Sequence, residues 1–281
     1  MKRVRFFCQS LLTLCLSLVA ASVLAQSPLG DKQYQPEVGQ AGKDVVWVTT
    51  AQALVNKMLD LAKVTPQDYV IDLGSGDGRT VITAAKRGAR ALGIEYNPDM
   101  VELSKRNAAK AGADEKAQFI QGDLFESDFS QATVITMFLL PDINLKLRPI
   151  ILDMKPGTRV VSNSFTMSEW REDQKIATTV EDGCDNYFCE AYLWIVPVKV
   201  AGTWKLPKGE LTLKQSFQMI TGTLKAGTRN TEITNGRLTG DQINFVVGDA
   251  QYTGRVSGNT MQGTFKSGGK TAPWEATRAG K

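Results

Sequence analysis

Val70–Val81 reads VIDLGSGDGRTV. An apolar run of strand length ends at Asp72 and Leu73, three glycines follow at alternate positions, and a helical pattern begins after them. A strand, a glycine-rich turn and a helix in that order make a nucleotide-type site. Glycine lets the backbone approach a ligand closely, and the helix amino terminus adds a favourable pole. The spacing is Gly74-x-Gly76-x-Gly78 and not the GxGxxG of a dinucleotide turn, and Asp72 and Asp77 flank it. Two carboxylates repel a pyrophosphate. They suit a ligand that carries a positive amino and a sulfonium group.

The flanks supply the scaffold. TAQALVNKMLDLAKV, behind Thr49 and Thr50, places Leu54, Met58, Leu61 and Ala62 on one helical face. Strands are predicted at YVIDL, ALGIEY, AQFIQGD, ATVITMFL and TRVVSNSF, with one or two more in NYFCEAYLWIVPV, and helical patterns lie between the first of them. That alternation is the signature of an α/β fold with a parallel sheet and covering helices. Glu95, ending the second strand, is placed to accept hydrogen bonds from two ribose hydroxyls. Asp123, ending the third, can address an adenine edge. The ordered set points to an S-adenosylmethionine pocket, where any one of these residues alone would read as a loop cap or a solvated charge.

These residues resemble the class I S-adenosylmethionine-dependent methyltransferases, which have a doubly wound, Rossmann-like sheet of seven strands. The resemblance is closer to the small protein-lysine methyltransferases of the mitochondrial type and their bacterial relatives. It rests on VTTAQALVNKML, DLGSGDGRTVITAAKRGARALGIEYNP, FLLPDINLKL, PGTRVVSNSF and Trp170, and spans about Val46 to Trp170. It implies methyl transfer from S-adenosylmethionine to an amine, with protein lysine as the acceptor. It further implies a cofactor set of Thr49, Thr50, Asp72, Gly74, Ser75, Gly76, Asp77, Gly78, Glu95, Asn97 and Asp123. The transfer site would hold Phe138, Pro141 and Asp142. The acceptor loop reads Phe-Leu-Leu-Pro where enzymes that methylate amides and base amines carry an Asn-Pro-Pro-Tyr type, which sets adenine and glutamine aside. The alternative reading is an exported adenosyl-ligand-binding protein or pseudoenzyme that keeps the pocket without the reaction.

The ends of the chain bound the rest. Lys2, Arg3 and Arg5 precede a nearly charge-free run to Leu24, so residues 1–25 read as a signal peptide and the protein as exported and periplasmic. An uncleaved anchor is the alternative. After cleavage no stable membrane insertion is expected, and the formal charge falls from +4 to about +1, so nothing points to nucleic acid. Export places the pocket away from where its cofactor is made. Cys184 and Cys189 are the cysteines left after cleavage, and in an oxidising compartment they are expected to bridge. The chain has no histidine, which removes the usual general base and the usual zinc ligand; no metal site is expected. Residues 26–44 read as an exposed leader, 45–197 as the methyltransferase domain and 202–281 as a small antiparallel, lipocalin-like β domain. For that last part the alternation and Asn-Gly, Thr-Gly and Ser-Gly turns predict five or six strands in an open barrel or curled sheet, with Trp204 and Trp274 closing its core.

Overall fold

Five parallel strands form the body of a seven-stranded sheet in the computed structural model, which describes residues 34–184 and 187–280. The signal segment and the first part of the leader lie outside the described residues. β1 (Tyr69–Leu73), β2 (Arg90–Glu95), β3 (Ala117–Gln121), β4 (Val134–Met137) and β5 (Arg159–Asn163) run parallel. β6 (Gln174–Ala177) and β7 (Glu190–Ile195) complete the order β3-β2-β1-β4-β5-β7-β6, with β7 antiparallel to both its neighbours. The central strands β1, β4 and β5 are buried along nearly their whole length, as strands covered on both faces must be.

Four helices do the covering. α1 (Gln52–Leu61), α2 (Arg79–Lys86) and α3 (Pro98–Lys110) set Leu54, Met58, Leu59, Val81 and Val101 into one core with Val70, Val134 and Val161. On the other face α4 (Pro141–Leu152) packs Ile143, Leu147 and Ile151 among Ile71, Ile135, Trp170 and Trp194. The strand order reverses between β1 and β4. In such sheets the ligand crevice opens at the carboxyl ends of the strands beside that switch.

α1 starts later than the sequence suggests. Its N-cap is Ala51, without a side-chain cap, and Thr49 and Thr50 belong to the segment leading into it. Val55 and Leu59 are fully buried where Leu61 was expected, and Leu61 only packs against the core edge. The described part of the leader is folded: Gly39 N–H donates to the Trp47 carbonyl at 2.8 Å, Trp47 N–H to the Gln40 carbonyl at 3.0 Å, and Ala41 bridges Val46. β6 was not foreseen, because QKIA is short and half polar.

The C-terminal part closes on itself. β8 (Gly202–Leu206), β9 (Gly209–Ser216), β10 (Met219–Ala226), β11 (Arg229–Thr239), β12 (Gln242–Val247), β13 (Ala250–Ser257), β14 (Thr260–Ser267) and β15 (Lys270–Arg278) form an up-and-down antiparallel barrel of eight strands. The expected five or six open strands are thus corrected. β8 is among the strands the pattern did not count, and closure rests on the non-local pairs Thr277 with Lys205 and Arg278 with Trp204. Trp204 and Trp274 are buried in the barrel core, their indole N–H groups bonded to the carbonyls of Val200 at 2.8 Å and Thr253 at 3.0 Å.

From Gln35 onward the described residues form one compact unit, and the barrel seats on the sheet through specific pairs. Phe217 stacks on Trp170 at 6.1 Å, Gln218 donates to the Arg171 carbonyl at 2.6 Å, and Arg237 pairs with Asp173 at 2.5 Å. Trp170, one of the residues that carry the resemblance, is fully buried in this junction and receives the Trp194 N–H on its carbonyl at 2.7 Å. Among the described residues no helix is long and apolar enough to cross a membrane.

Candidate active site

The turn from β1 to α2 is held by β2 and α3. Gly74 N–H and Ser75 N–H donate to the Ile94 carbonyl at 2.9 and 3.1 Å, Ser104 Oγ donates to the Gly76 carbonyl at 2.8 Å, and Asn107 Nδ2 to the Asp77 carbonyl at 2.9 Å. Gly76 has φ +55°, and a Cβ there would stand 2.7 Å from Nε1 of Trp47. A side chain would therefore be strained and would also collide with Trp47. Gly78, at φ +82°, does different work: its Cβ would meet the Phe119 ring at 2.8 Å, so its bareness lets α2 and α3 close onto β3.

One cavity opens here at the carboxyl ends of β1, β2 and β4. Thr49, Thr50, Asp72, Gly74, Ser75, Gly76, Asp77, Glu95, Asn97, Asp123 and Phe138 all line it. Gly78, Pro141 and Asp142 do not. Pro141 is the first residue of α4, where its missing N–H costs nothing, and Asp142 sits exposed in the first turn where a negative charge suits the helix dipole. Ser75 lines the cavity, but its hydroxyl lies against Gly93 of β2. The end of the leader and the segment just after it contribute a wall that sequence reasoning missed, with Lys43 and Trp47 in it. The available signal was a cation, Lys43, just ahead of the apolar run Val45-Val46-Trp47-Val48.

Each carboxylate has a distinct environment. Asp72 is buried, accepts the Thr136 hydroxyl at 2.6 Å, and is pushed up to about 7 by desolvation, partly offset by that hydrogen bond and reinforced by the charges of Asp77 and Glu95. Glu95 accepts Gly76 N–H at 2.9 Å on one oxygen and Asn97 N–H at 3.0 Å on the other, so it ties the turn to the start of α3. Asn97 also caps α3 through Asp99 N–H at 2.9 Å. Asp77 is engaged by the Arg79 guanidinium at 2.6 and 3.0 Å, and Arg79 reaches the Thr50 carbonyl at 2.8 Å. Asp123 accepts Phe125 N–H at 2.9 Å and pairs with Lys43, and that hydrogen bond to Lys43 holds its carboxyl below the usual range. Lys43 also lies over the Tyr96 ring at 5.1 Å.

A glycine cradle at the topological switch of a doubly wound sheet, a buried carboxylate fit for a cation, and acids ending β2 and following β3 together define a class I S-adenosylmethionine-dependent methyltransferase. The sequence profile of the ANTKMT methyltransferase domain matches residues 72–174. A protein-lysine N-methyltransferase of Saccharolobus islandicus (strain REY15A) is 42% identical over 155 residues, covering 54% of this chain and 94% of that protein. The chain belongs to this methyltransferase family. The adenine nucleotide translocase lysine N-methyltransferase of Mus musculus is 32% identical over 129 residues, and the match spans 56% of its length and 45% of this chain. Among solved structures, an RNA methyltransferase from Salinibacter ruber in complex with S-adenosyl-L-homocysteine is 44% identical, with a TM-score of 0.50 over 54% of this chain and 96% of that one.

The cavity fits the cofactor. Asp72 is a desolvated carboxylate neighboured by two more acids, an arrangement that a cationic ligand relieves and an anionic one aggravates. Gly74, Ser75 and Gly76 bring the backbone of the turn to the cavity wall.

Proposed function

We propose that the protein transfers the methyl group of S-adenosylmethionine to the side-chain amine of a protein lysine. The observation that carries this reading is the 42% identity to a protein-lysine N-methyltransferase across nearly all of that protein's length. When bound, the cofactor supplies an electrophilic methyl whose bond to sulfur breaks as the acceptor nitrogen forms its own bond to carbon. Asp72 holds the cationic end, Glu95 the ribose and Asp123 the adenine edge, while Thr49, Thr50 and Trp47 cover the ligand from the leader side. The acceptor side is apolar, with Phe138 and Leu139 in the cavity wall. Alignment and exclusion of water are the protein's tasks, since an uncharged amine needs no nucleophilic help. A charged lysine must first lose its proton, and an apolar wall favours the neutral form.

The Salinibacter ruber protein is named an RNA methyltransferase, which makes RNA the second reading. The near-balanced charge, 33 basic against 29 acidic residues before any signal is removed, argues for protein. We further read the protein as exported, supported by its N-terminal pattern and by a bridge between Cys184 and Cys189. Methyl-labelled cofactor incubated with the full chain and either cell-envelope protein or total RNA tests the acceptor. Label recovered as methyl-lysine after acid hydrolysis is expected; label confined to RNA would overturn the reading. Fractionation of the producing cells tests export.

A further inference from the structure

Three phenylalanine rings from separate loops meet at the edge of the cavity. Phe138 follows β4, Phe165 follows β5, and Phe188 precedes β7. Their ring centroids are 6.1 Å apart for Phe138 and Phe165, 5.1 Å for Phe138 and Phe188, and 6.0 Å for Phe165 and Phe188, so each ring meets both others. Phe138 is the member that reaches the cofactor cavity.

The two partners are held by devices that have no evident purpose in the core. Phe165 follows Ser164, a non-glycine residue at φ +58°, a backbone conformation with a steric cost that the surroundings must impose. Ser164 N–H donates to the Glu190 carbonyl at 2.9 Å, its hydroxyl to Asn163 Oδ1 at 2.8 Å, and Asn163 Nδ2 reaches Thr50 Oγ1 at 3.1 Å. Phe188 stands one residue before Cys189, which is bonded to Cys184. The loop bearing that bridge is pinned by Thr178 N–H on the Cys189 carbonyl at 2.8 Å, Cys184 N–H on the Thr179 carbonyl at 3.0 Å, and Lys57 on Asp182 at 2.8 Å. Between its cysteines Tyr187 is fully exposed.

Resting on the lysine reading above, we propose that Phe138, Phe165 and Phe188 form the acceptor wall for the lysine side chain, and that the Cys184–Cys189 disulfide positions Phe188 within it. Three rings leave no donor or acceptor toward the amine, so its aliphatic stem packs and its charged form is disfavoured. Of the charged groups near the wall, Lys57 pairs with Asp182, and the Glu190 carboxylate accepts the Tyr192 hydroxyl at 2.5 Å. Asp72 faces the cofactor side of the same cavity.

The test uses the full oxidised chain with S-adenosyl-L-homocysteine bound and n-hexylamine as the probe, followed by NMR of the phenylalanine rings. Saturable ring shifts are expected in the wild type. Phe188→Ala and the double variant Cys184→Ala/Cys189→Ala should weaken hexylamine by about tenfold or more, with S-adenosyl-L-homocysteine affinity within about twofold, and Phe188→Leu should restore most of the loss. In methyl transfer, Phe188→Ala should move the pH–rate profile up by about one unit, because the amine loses its apolar surroundings. Hexylamine that shifts no ring, or binds all variants equally, overturns the wall. Equal loss of S-adenosyl-L-homocysteine and hexylamine in the double variant overturns the positioning role. A wild type that binds hexylamine at the rings yet methylates no lysine would sink the lysine reading while leaving the amine wall in place.

Discussion

Asp72 is the residue whose chemistry is most displaced by its setting. Its pKa, raised to about 7, means that the ligand-free fold binds an extra proton there between the usual carboxylate range and neutrality. Its contribution to stability is therefore full below the ordinary carboxylate pKa and is lost as pH rises through about 7. A cationic ligand reverses the sign, because it prefers the ionised form. Cofactor affinity should rise about tenfold per pH unit up to about 7 and then level off, and Asp72→Asn should flatten the profile at weak binding. Calorimetric titration from pH 5 to 8.5 checks both. Glu95 is a different case, since both its oxygens already accept backbone N–H groups. Glu95→Ala should weaken the cofactor by roughly 2 to 3 kcal/mol and also lower Tm, because two N–H groups lose their acceptor; equal affinity in the variant would remove it from the ribose.

At the scale of elements, the leader is the unexpected part. Composition made residues 26–44 an exposed tail, and the described ones are mostly exposed, yet their turn carries Trp47 onto Gly76 and Lys43 onto Asp123. No local pattern encodes a docking partner so distant in the chain. Trp47→Ala should weaken cofactor binding by about 1 to 2 kcal/mol through lost apolar area, measured by calorimetry, with little change in methyl transfer at saturating cofactor. The turn from β1 to α2, by contrast, was legible as a strand, glycines and a helix because they are contiguous and need only their neighbours, whereas the packing role of Gly78 against Phe119 was not.

From Gln35 onward the described residues form two lobes, sheet and barrel, joined by aromatic and charged pairs. Trp170 stacks on Phe217, and Asp173, with only 6% of its side chain exposed, depends on Arg237. Heating should give a single cooperative transition, and two separated transitions in scanning calorimetry would mean the lobes melt alone. Arg237→Ala should cost about 2 to 3 kcal/mol at neutral pH by leaving a buried carboxylate unpaired, and less in acid, where Asp173 takes up a proton; its pKa is already raised by desolvation.

By itself the sequence determined the α/β class, the parallel order of the first strands, the glycine turn and the acids that end or follow them, all of which are contiguous or repeat at the fixed periods of helix and strand. It also marked an antiparallel tail and a pair of cysteines close enough to bridge. Only the tertiary structure decided that the tail is a closed barrel, since closure joins β15 to β8 across the whole lobe. Only the tertiary structure moved Trp170 into the junction, left Pro141 and Asp142 outside the cavity, and gathered Phe138, Phe165 and Phe188 from three loops. Contacts between residues far apart in the chain depend on how elements pack. Packing side chains from separate loops leaves no periodic trace in the order of amino acids.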